Sequence, residues 1–481
     1  MKRIYIRADG NAHIGLGHLI RTFALSAMLQ DHFEFHLLTR GDEKLVRDLA
    51  GDICKEITFL KDDLLHALEA DHLIETVLQR DDLLILDGYQ FDFAYQEKIK
   101  SADVALICID DIHQGKYAAD LIINPSGNTK AKSYSALPGT IFACGPRYVL
   151  LRPEFLKAAR EGRMAVDSKI VTICMGGADP DNFTLRSLQE LVPKLPSDWK
   201  VQIIVGAAFR FREVLEDWLS ACKNAHEVFT NLTAAALVQV MSGSRAVICS
   251  ASTMASEVAC VGAGLYLRKT TENQTGVYHF FLDHELALRH HDFEPEQRMD
   301  RMLERQKVFF DGLTGTRIFH LIQGLQDAHK VSLRRARVAD CALYFAWTND
   351  PVTRQSSFST DPISYEEHVR WFEKKREDPS EHLLIAEIES RPLGQIRFTC
   401  KDDEALLSFS LAPDQRGQGL GLHLVRLGIR KLKSEYQQID RFVGFVKREN
   451  LASCEIFRKL GFSEQDAKEY PNAIRFEYGG N

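Results

Sequence analysis

The stretch from Ile4 to Ala27, IYIRADGNAHIGLGHLIRTFALSA, places a glycine-rich turn between a strand and a helix. The apolar residues before the turn are typical of a β-strand, and those after it recur at helical spacing. Gly15 and Gly17 allow positive φ and a close approach of the backbone to a ligand, and the free amides at the helix start favour an anion. The stretch therefore predicts the ligand-binding top of a βα unit.

His18 falls in the first turn of this helix, where the positive end of the helix dipole disfavours the imidazolium form. A neutral imidazole that faces a cleft is a ready general base. The same residues also fit a tight turn followed by a capping or surface histidine. The G-x-G-H pattern alone does not choose between these two interpretations.

The composition is that of an ordinary soluble globular protein, because 45% of the 481 residues are hydrophobic and 26% are charged. This length predicts about three domains. A net charge of −7 and the absence of a dense basic run argue against a nucleic-acid surface. We therefore expect no nucleic-acid partner, and the sequence does not indicate an oligomeric state.

The ten cysteines are scattered, with no C-x-x-C pair and no spacing typical of a metal site. Most lie in apolar runs, which predicts reduced core residues in a cytoplasmic protein without a bound metal. The chain starts without the apolar region of a signal peptide. The apolar run from Val247 to Leu267 carries too many polar residues for a membrane span, so no membrane partner is expected.

Apolar runs alternate with helical patterns over residues 1–150, which predicts a parallel sheet covered on both faces. A second α/β set follows, and a cleft between two such lobes is the default ligand site. Strands are predicted at 33–38, 83–86, 104–109, 121–123, 170–174, 201–205 and 246–249, and helices at 43–50, 92–100, 254–261, 296–310 and 318–328.

Two predicted strand ends in the first lobe carry polar residues. Asp87 and Tyr89 follow one strand, and the pair Asp110 and Asp111 follows the next. Paired carboxylates at a strand end suit a metal or acid–base chemistry. A helix cap or a hydrogen-bonded loop is the preferred interpretation of this pair.

Three loops of the second lobe follow its predicted strands and are rich in glycine, hydroxyl and amide groups. They contain Gly176-Gly177, Ser252-Thr253 with Glu257 one turn later, and Glu272-Asn273-Gln274. The glycines suit close approach to a diphosphate, and the helix start after the hydroxyls suits phosphates. The glutamate would accept from the ribose hydroxyls. A helix cap and a surface glutamate are the alternatives for single loops, whereas the succession of three favours a nucleotide site.

The opening stretch resembles the signature of UDP-2,4-diacetamido-2,4,6-trideoxy-β-L-altropyranose hydrolases, enzymes of the pseudaminic acid pathway that are similar in fold to the GT-B glycosyltransferase of lipid II synthesis. The resemblance covers roughly residues 1–328, and its signature residues are Asp9, Asn11, Ile14, Gly15, Gly17, His18 and Arg21. It implies Rossmann-like lobes at 1–150 and 151–328 in a GT-B-like arrangement.

The same resemblance implies roles for single residues. His18 would be the base that activates water, Tyr89 would line the sugar pocket and Asn273 would lie near the substrate. The residues implied to hold the UDP-sugar are Gly15, Gly17, Arg21, Gly176, Gly177, Ser252, Thr253 and Glu257.

A third unit is predicted over residues 333–481. Two helical patterns and a hairpin precede a strand at 405–411, after which Arg416-Gly417-Gln418-Gly419-Leu420-Gly421 opens a helix. Backbone amides of such a turn cradle a pyrophosphate. The turn therefore predicts a second phosphate-binding site.

This turn resembles the R-x-x-G-x-G coenzyme A loop of GNAT acetyltransferases, an α+β family, and the order of elements over 333–481 follows that family. The resemblance implies acetyl-CoA as co-substrate, and a strand at 441–446 that diverges from 405–411 to admit the pantetheine arm. The implied acetyl-CoA residues are Leu411, Arg416, Gly417, Gln418, Gly419, Gly421 and Asn450. The subfamily that acetylates the 4-amino group of the UDP-altrosamine precursor is the most similar.

One position departs from the GNAT pattern. Phe457 stands where many members have a tyrosine that protonates the departing thiolate, and phenylalanine cannot donate a proton. Ser453, Cys454 and Tyr470 are the alternative acids, and Glu449 is a possible base.

Together the two resemblances imply a bifunctional enzyme. It would acetylate a UDP-4-amino sugar with acetyl-CoA and hydrolyse the product to UDP and the free sugar. Two alternatives stay open: the first two lobes form a glycosyltransferase with a UDP-sugar donor, or the third unit acts on another amine or serves as a binding module. The sequence does not select the sugar stereoisomer.

Overall fold

The computed structural model describes residues 2–10, 16–61, 63–127, 129–162, 168–295, 297 and 299–479. Within these residues the chain forms three large sheets, one after another along the sequence. The first two are parallel and the third is mainly antiparallel. The predicted fold class, mixed α/β with parallel sheets followed by an α+β unit, is confirmed.

The first sheet is a doubly wound parallel sheet. Its region contains β1 (Lys2–Ala8), α1 (Gly17–Leu29), β2 (Phe33–Thr39), α2 (Glu43–Ala50), β3 (Glu56–Phe59), α3 (His66–Thr76), β4 (Leu83–Asp87), α4 (Phe93–Lys100), β5 (Ala105–Ile109), β6 (Lys116–Tyr117), β7 (Leu121–Asn124), β8 (Ser135–Ala136) and β9 (Ile141–Cys144). The strand order is β3-β2-β1-β4-β5-β7-β9. The order reverses between β1 and β4, and open α/β sheets bind their ligands at such a switch point.

The second sheet repeats this plan. Its region contains α5 (Pro153–Glu161), β10 (Ile170–Cys174), α6 (Phe183–Leu191), β11 (Lys200–Val205), α7 (Arg212–Ser220), β12 (His226–Thr230), α8 (Ala234–Ser242), β13 (Ala246–Ser250), α9 (Thr253–Val261), β14 (Gly264–Arg268), α10 (Thr275–Asp283), β15 (Leu288–Arg289), α11 (Asp300–Phe309) and α12 (Thr314–Ala328). The strand order is β12-β11-β10-β13-β14-β15. Its switch point lies between β10 and β13.

Two contacts join the regions of these sheets. The helix α12 returns to the first sheet, where Ile318 and Ile322 share a core with Phe23 of α1. Gly127, just after β7, lies against α10, because a Cβ at this glycine would be 2.2 Å from Cδ2 of Phe280. The two parallel sheets therefore pack together through helices that follow them in sequence.

The third sheet opens in its middle. Its region contains β16 (Ser332–Arg335), α13 (Cys341–Thr348), α14 (Pro351–Ser356), α15 (Tyr365–Glu377), β17 (Glu381–Ile388), β18 (Arg391–Lys401), β19 (Glu404–Leu411), α16 (Leu420–Glu435), β20 (Arg441–Lys447), α17 (Leu451–Lys459), β21 (Ser463–Asp466) and β22 (Ala473–Tyr478). β19 and β20 are parallel neighbours, and they pair from Glu404 to Leu406 against Arg441 to Val443. The rest of each strand lies within the described residues and diverges from the other strand, as expected from the sequence.

A buried ion cluster fixes the third sheet against the first. Asp120, just before β7, is 1% exposed. Its carboxylate accepts from Arg426 and Arg430 of α16, at 2.7 Å for Nη1 of Arg430, and from Nζ of Lys100 at 2.6 Å. Burial raises the pKa of Asp120, but the charges of Arg430, Arg426 and Lys100 outweigh this effect and hold the pKa far below its usual range. The carboxylate is therefore charged at the centre of the contact.

The helices α12 and α16 approach closely beside this cluster. A Cβ at Gly324 would lie 2.1 Å from Nε2 of His423. The imidazole of His423 is buried, and its Nδ1 has no hydrogen-bond partner in the described part of the chain. Burial, reinforced by the charge of Arg426, lowers the pKa of His423 to about 3. His423 is therefore neutral in the folded protein.

Most of the predicted elements are confirmed to within a few residues. The predicted helix from 296 to 310 starts later, at Asp300, and residues 296 and 298 lie outside the described residues. The run from Val247 to Leu267 forms a strand, a helix and a second strand, and no helix in the described chain has the length and apolar character needed to cross a membrane. The strands β3 and β12 were not predicted and are short edge strands whose side chains are largely accessible, and the largely buried strands β9 and β14 were not predicted either.

We expect the replacement Asp120→Ala to lower the free energy of unfolding by about 3–5 kcal/mol, because the buried Arg426 and the partly buried Lys100 and Arg430 lose their counter-charge. Chemical denaturation followed by circular dichroism measures this change. The matched control is Asp198→Ala, which removes an exposed partner of Lys169 and should change stability little. Equal effects in both variants would contradict the burial of the cluster.

We also expect acid to destabilise the protein through His423. Between pH 6.5 and 3 the unfolded histidine takes up a proton that the buried one does not, so stability falls as pH falls and levels off below the folded-state pKa. The slope from this residue is about 1.4 kcal/mol per pH unit. Urea titrations between pH 6 and 4 should show a shallower slope for His423→Gln, and an unchanged slope would argue against a neutral buried imidazole.

Candidate functional site

The first candidate site lies at the switch point of the first sheet. His18, in the first turn of α1, is 9% exposed, and Asp87 at the end of β4 is fully buried. Nδ1 of His18 lies 2.6 Å from Oδ1 of Asp87. Because a carboxylate only accepts, this contact favours the tautomer in which Nδ1 carries the proton, while Nη2 of Arg21 also lies 3.0 Å from Nδ1. In the neutral form of that tautomer the lone pair is on Nε2, as a general base requires.

Arg21, one turn after His18, fixes the orientation of Asp87. Its Nε donates to Oδ2 of Asp87 at 2.6 Å and its Nη2 to Oδ1 at 2.5 Å. Its Nη1 donates to Oδ2 of Asp111 at 2.6 Å. Burial lowers the pKa of Arg21, but the hydrogen bonds and charges of Asp87 and Asp111 outweigh burial and raise it. Arg21, predicted to contact UDP, thus has its guanidinium held by two carboxylates.

Tyr89 lies beside His18. The two rings meet edge to face with centroids 4.9 Å apart, and the tyrosine hydroxyl donates to Oδ2 of Asp111 at 3.3 Å. Partial burial and the charge of Asp111 raise the pKa of Tyr89 to about 12. The hydroxyl is therefore protonated at neutral pH, and the exposed ring covers the imidazole.

Asp110, the other member of the predicted acidic pair, has a structural role. It is 6% exposed and accepts from the hydroxyls of Tyr117 at 2.9 Å and Tyr134 at 2.5 Å, and from the backbone N–H of His113 at 2.9 Å. These contacts agree with the hydrogen-bonded loop that was the preferred interpretation. No group of three or more histidine, cysteine, aspartate or glutamate side chains that could hold a metal ion occurs in the described chain.

An ion network below the site fixes the end of β1. Arg7 is 1% exposed, and its Nε donates to Oε1 of Glu69 at 2.7 Å while its Nη2 donates to Oδ2 of Asp9 at 2.9 Å. Arg40 donates to the same carboxylates, through Nη2 to Glu69 at 2.7 Å and through its backbone N–H to Asp9 at 2.7 Å. The glycine-rich turn therefore starts from a fixed aspartate.

Arg7 and Asp87 were not given these roles from the sequence, although signals were present. A charged residue inside an apolar strand, such as Arg7, needs a buried partner. An acid at the end of β4 lies beside the end of β1, because these parallel strands are neighbours. Asn11, Ile14 and Gly15 lie outside the described residues. The expectation of a positive φ at Gly17 is wrong, because this glycine is the first residue of α1 and takes no positive φ.

The second candidate site lies at the corresponding switch point, between β10 and β13. Gly176 has φ +103°, and a Cβ at Gly176 or Gly177 would meet no atom within 4 Å. The loop is therefore open on the side where a diphosphate is expected. Asp179 accepts from the backbone N–H groups of Phe183 at 2.8 Å and Thr184 at 2.7 Å. The carboxylate thus already occupies amides at the start of α6, and the two glycines are left for a ligand.

The loop after β13 combines the predicted cap with a buried acid. Oγ of Ser252 caps α9 by accepting from the backbone N–H of Met254 at 3.4 Å, and Thr253 is exposed. Glu257 is 5% exposed, and Nη2 of Arg152 donates to its Oε1 at 2.8 Å. Burial raises the pKa of Glu257, although the charge of Arg152 opposes this. The glutamate is therefore a buried acid and not the surface residue of the alternative interpretation.

Asn273 lies in a short 3-10 turn, Glu272–Gln274, that leads into α10. Its side chain is exposed, and its Oδ1 accepts from the hydroxyl of Thr271 at 2.5 Å. α10 is the helix that packs on the first sheet at Gly127. Within the described chain no hydrogen bond or ion pair joins the groups around His18, Glu257 and Asn273, so their meeting at one ligand stays a prediction.

The third candidate site is the turn between β19 and α16. Gly417 and Gly419 both have φ +77°, and a Cβ at either would meet no atom within 4 Å. Gly421 is required by packing, because a Cβ there would lie 2.9 Å from Cδ1 of Ile456. The turn therefore leaves open space at the amino end of a sixteen-residue helix, which suits a pyrophosphate.

Two side chains of this turn serve the protein itself. Arg416 forms an ion pair with Asp350 at 2.7 Å and donates to the hydroxyl of Thr353 at 3.0 Å, which ties the turn to the start of α14. Nε2 of Gln418 donates to the backbone carbonyl of Asp414 at 3.1 Å. Both side chains were predicted to bind acetyl-CoA, and in this structure both hold the shape of the turn.

A cavity of about 460 Å³ lies where β19 and β20 diverge. Ser410, Phe445, Asn450, Ser453 and Phe457 are among the residues that line it. Leu411 ends β19 beside this opening and pairs with Gly394. The side chain of Asn450 caps α17 by accepting from the backbone N–H of Ser453 at 3.1 Å.

Phe457 closes one wall of the cavity. It is 2% exposed and stacks on Phe476 with ring centroids 4.9 Å apart. A Cβ at Gly444 would lie 2.5 Å from Cζ of Phe457, so this ring fills the space above β20. Among the alternative acids Ser453 lines the cavity, whereas Tyr470 stacks on Phe358 at 3.9 Å.

The other two alternatives are placed less well for acid–base chemistry. Cys454 is buried and burial raises its pKa, with its Sγ 3.8 Å from the carbonyl oxygen of Lys447. Glu449 is exposed and does not line the cavity. Ser453 is therefore the alternative acid that faces the cavity directly.

Comparisons with known proteins agree with this architecture. The family described as Acetyltransferase (GNAT) domain matches residues 330–463. An uncharacterized protein of Methanocaldococcus jannaschii is 22% identical and covers 96% of this chain and 97% of its own length. The C-terminal unit is thus a GNAT-type domain, and a second protein shares the full-length arrangement.

Two further relatives match the N-terminal part of the chain. The UDP-2,4-diacetamido-2,4,6-trideoxy-beta-L-altropyranose hydrolase of Campylobacter jejuni is 25% identical over 56% of this chain and 93% of that enzyme. The spore coat polysaccharide biosynthesis protein SpsG of Bacillus subtilis is 23% identical over 59% of this chain and 82% of that protein.

A solved spermidine N-acetyltransferase from Vibrio cholerae, in complex with CoA and spermine, covers 31% of this chain and 96% of its own, with 16% identity and a TM-score of 0.29.

Proposed function

We propose that the chain is a bifunctional nucleotide-sugar enzyme. Residues 1–328 would form a UDP-sugar hydrolase with two lobes, 1–150 and 151–328, in a GT-B-like arrangement. Residues 333–481 would form an acetyl-CoA-dependent N-acetyltransferase. The observation that carries the hydrolase is the hydrogen bond from Nδ1 of His18 to the buried Asp87.

In the hydrolytic step Nε2 of His18 takes a proton from a water molecule as the water oxygen attacks C1 of the sugar. The bond from C1 to the diphosphate oxygen breaks, and UDP leaves with the electron pair. Attack from the opposite face inverts the anomeric carbon. Asp87 stabilises the imidazolium that forms, and the buried pair with Arg21 prevents the carboxylate from turning away.

Backbone donors would hold the diphosphate, since charge stabilisation is usually the largest catalytic contribution. The open loop at Gly176 and Gly177 and the start of α9 at Ser252 and Thr253 would bind it, together with Gly15 and Gly17. Glu257 would receive a ribose hydroxyl, and Tyr89 and Asn273 would line the sugar. The relatives named as a UDP-sugar hydrolase and a polysaccharide biosynthesis protein support this assignment.

In the acetyl-transfer step the lone pair of an unprotonated sugar amine attacks the thioester carbonyl of acetyl-CoA. The new C–N bond forms, the C–S bond breaks, and the thiolate leaves with the electron pair. The amine proton leaves to solvent or to the thiolate, and Ser453 is the hydroxyl placed to deliver a proton. The turn at Gly417 and Gly419 would hold the pyrophosphate of CoA.

The substrate proposed for the hydrolase is UDP-2,4-diacetamido-2,4,6-trideoxy-β-L-altropyranose, and the acetyltransferase would make it from the corresponding UDP-4-amino sugar. The test is UDP release from the unacetylated sugar nucleotide, with and without acetyl-CoA, followed by mass spectrometry of the sugar. We expect release that depends on acetyl-CoA and a free diacetamido sugar. Release only when the sugar is supplied already acetylated would remove the acetyltransferase assignment. Absence of release without a sugar acceptor would favour a glycosyltransferase.

The role of His18 and Asp87 is tested by a double-mutant cycle. We expect His18→Ala and Asp87→Asn each to lower the rate of UDP release by about 10²–10⁴, with UDP affinity preserved. The double variant should be no slower than His18→Ala alone, because Asp87 acts through the imidazole.

Asp111→Asn is the matched control, because it removes the other carboxylate partner of Arg21 and leaves the His18 contact in place. Its rate should stay within about tenfold of the parent protein. Additive losses in the double variant, or loss of UDP binding in His18→Ala, would assign these residues a structural role.

A further inference from the structure

One wall of the cavity beside β19 carries a guanidinium that the proposed acetyl transfer does not use. Arg397 of β18 lines this cavity, and its Cζ lies 5.2 Å from the ring centroid of Trp371. Across the described chain the side chain of Arg397 has no hydrogen bond or ion pair. The nearby carboxylate of Glu381 accepts from Lys375 and from the hydroxyl of Thr399 at 3.0 Å. Burial lowers the pKa of Arg397 and the charge of Glu381 opposes this; because an arginine stays charged, this wall holds a cation whose side chain forms no ion pair.

Two other polar atoms of the same cavity have no partner in the described chain, Oε1 of Gln395 and Nε of Arg354. These residues are 8% and 9% exposed. Nε2 of Gln395 donates to the hydroxyl of Ser410 at 3.1 Å, which fixes the amide with its oxygen free. Buried polar atoms in proteins almost always have a partner. A ligand that brings both an N–H donor and an anion would satisfy this wall.

The strands place these groups in a fixed order along the cavity. Gln395 pairs with Ser410 of β19, and Arg397 pairs with Ser408, so both side chains project from the same face of the sheet. They are two residues apart, a separation of roughly 7 Å along a strand. Ser410 adjoins the end of β19, from which the chain leads into the glycine turn. Gln395 therefore lies nearer the turn proposed to bind acetyl-CoA, and Arg397 lies farther from it.

We propose that Arg397, stacked on Trp371, binds a phosphate group of the acceptor molecule, and that Oε1 of Gln395 accepts a hydrogen bond from the amino group that becomes acetylated. The acceptor is then an amino sugar joined to a phosphate or diphosphate, and not a free amino sugar or a polyamine. One pyranose ring separates a 4-amino nitrogen from a phosphate on C1, in keeping with the spacing of the two side chains. This inference rests on the proposed acetyltransferase and adds the subsite that selects its acceptor.

The test uses the full-length protein and measures CoA release from acetyl-CoA with matched acceptors. The first pair is the UDP-4-amino sugar and the same amino sugar without UDP, and the second is 4-amino-4-deoxyglucose 1-phosphate and 4-amino-4-deoxyglucose. Arg397→Gln should lower kcat/KM for the phosphorylated acceptors by about 10- to 100-fold, mainly through KM, because a hydrogen bond to a charged group is lost. The values for the unphosphorylated acceptors should not change.

Two further variants control for folding and for general charge. Arg397→Lys keeps the cation and should recover part of the preference for phosphorylated acceptors. Arg370→Gln removes an exposed arginine next to Trp371 and should leave both classes of acceptor unchanged. Equal losses for phosphorylated and unphosphorylated acceptors in Arg397→Gln would overturn the proposal, since they would indicate a structural role.

The outcomes separate this inference from the function on which it rests. If the parent protein acetylates the UDP-4-amino sugar and Arg397→Gln does so equally well, the acetyltransferase stands and the phosphate subsite is rejected. If 4-amino-4-deoxyglucose 1-phosphate is an Arg397-dependent acceptor and the UDP-4-amino sugar is not used, the subsite stands and the substrate assignment fails. Acetylation of spermine with no turnover of any phosphorylated amine would overturn the subsite.

Discussion

The carboxyl ends of parallel strands meet at one edge of a sheet, and this constraint assembles the candidate hydrolytic site. His18 and Asp87 are 69 residues apart in sequence, yet they meet because β1 and β4 are neighbours where the strand order reverses. The second sheet has the same reversal between β10 and β13. Each parallel sheet therefore presents its candidate ligand-binding loops at an edge determined by topology, and the proposed chemistry depends on the few residues that each loop carries.

This constraint also explains how much of the site could be predicted from the sequence. His18 and Glu257 were identified because each follows a strand and begins or enters a helix, a pattern that one segment contains entirely. The contact of Asp87 with His18 requires knowledge of which strands are adjacent, and alternating βα patterns do not give the strand order. The role of Arg7 was missed and that of Arg416 was misjudged for a related reason. Each side chain binds a carboxylate that is distant in the sequence, Glu69 for Arg7 and Asp350 for Arg416.

The contacts that attach the GNAT-type domain are also of two kinds, local ones that the sequence indicates and distant ones that it does not. Three residues connect α12 to β16, which the sequence indicates as a short linker. The buried contact of Asp120 with Arg426 and Arg430 could not be predicted, because an arginine on a helix normally reaches solvent. α16 begins at the glycine turn, and Arg426 lies six residues later, about 9 Å along the helix axis. The turn proposed to bind acetyl-CoA is therefore held rigidly against the first sheet.

The charged side chains buried in this protein differ in whether they have an ion-pair partner within the chain. Arg7 pairs with Glu69 and Asp9, and the three cations around Asp120 all reach its carboxylate, so each of these groups has an ion-pair partner within the chain. Arg397 forms no ion pair and lies on the face of Trp371, which offsets part of the cost of burying a cation, while the charge of Glu381 acts on it without forming an ion pair. A folded domain tolerates such a group most readily where an anion binds during function. The unpaired arginine is therefore the basis of the proposed acceptor chemistry, which the glycine turn by itself does not specify.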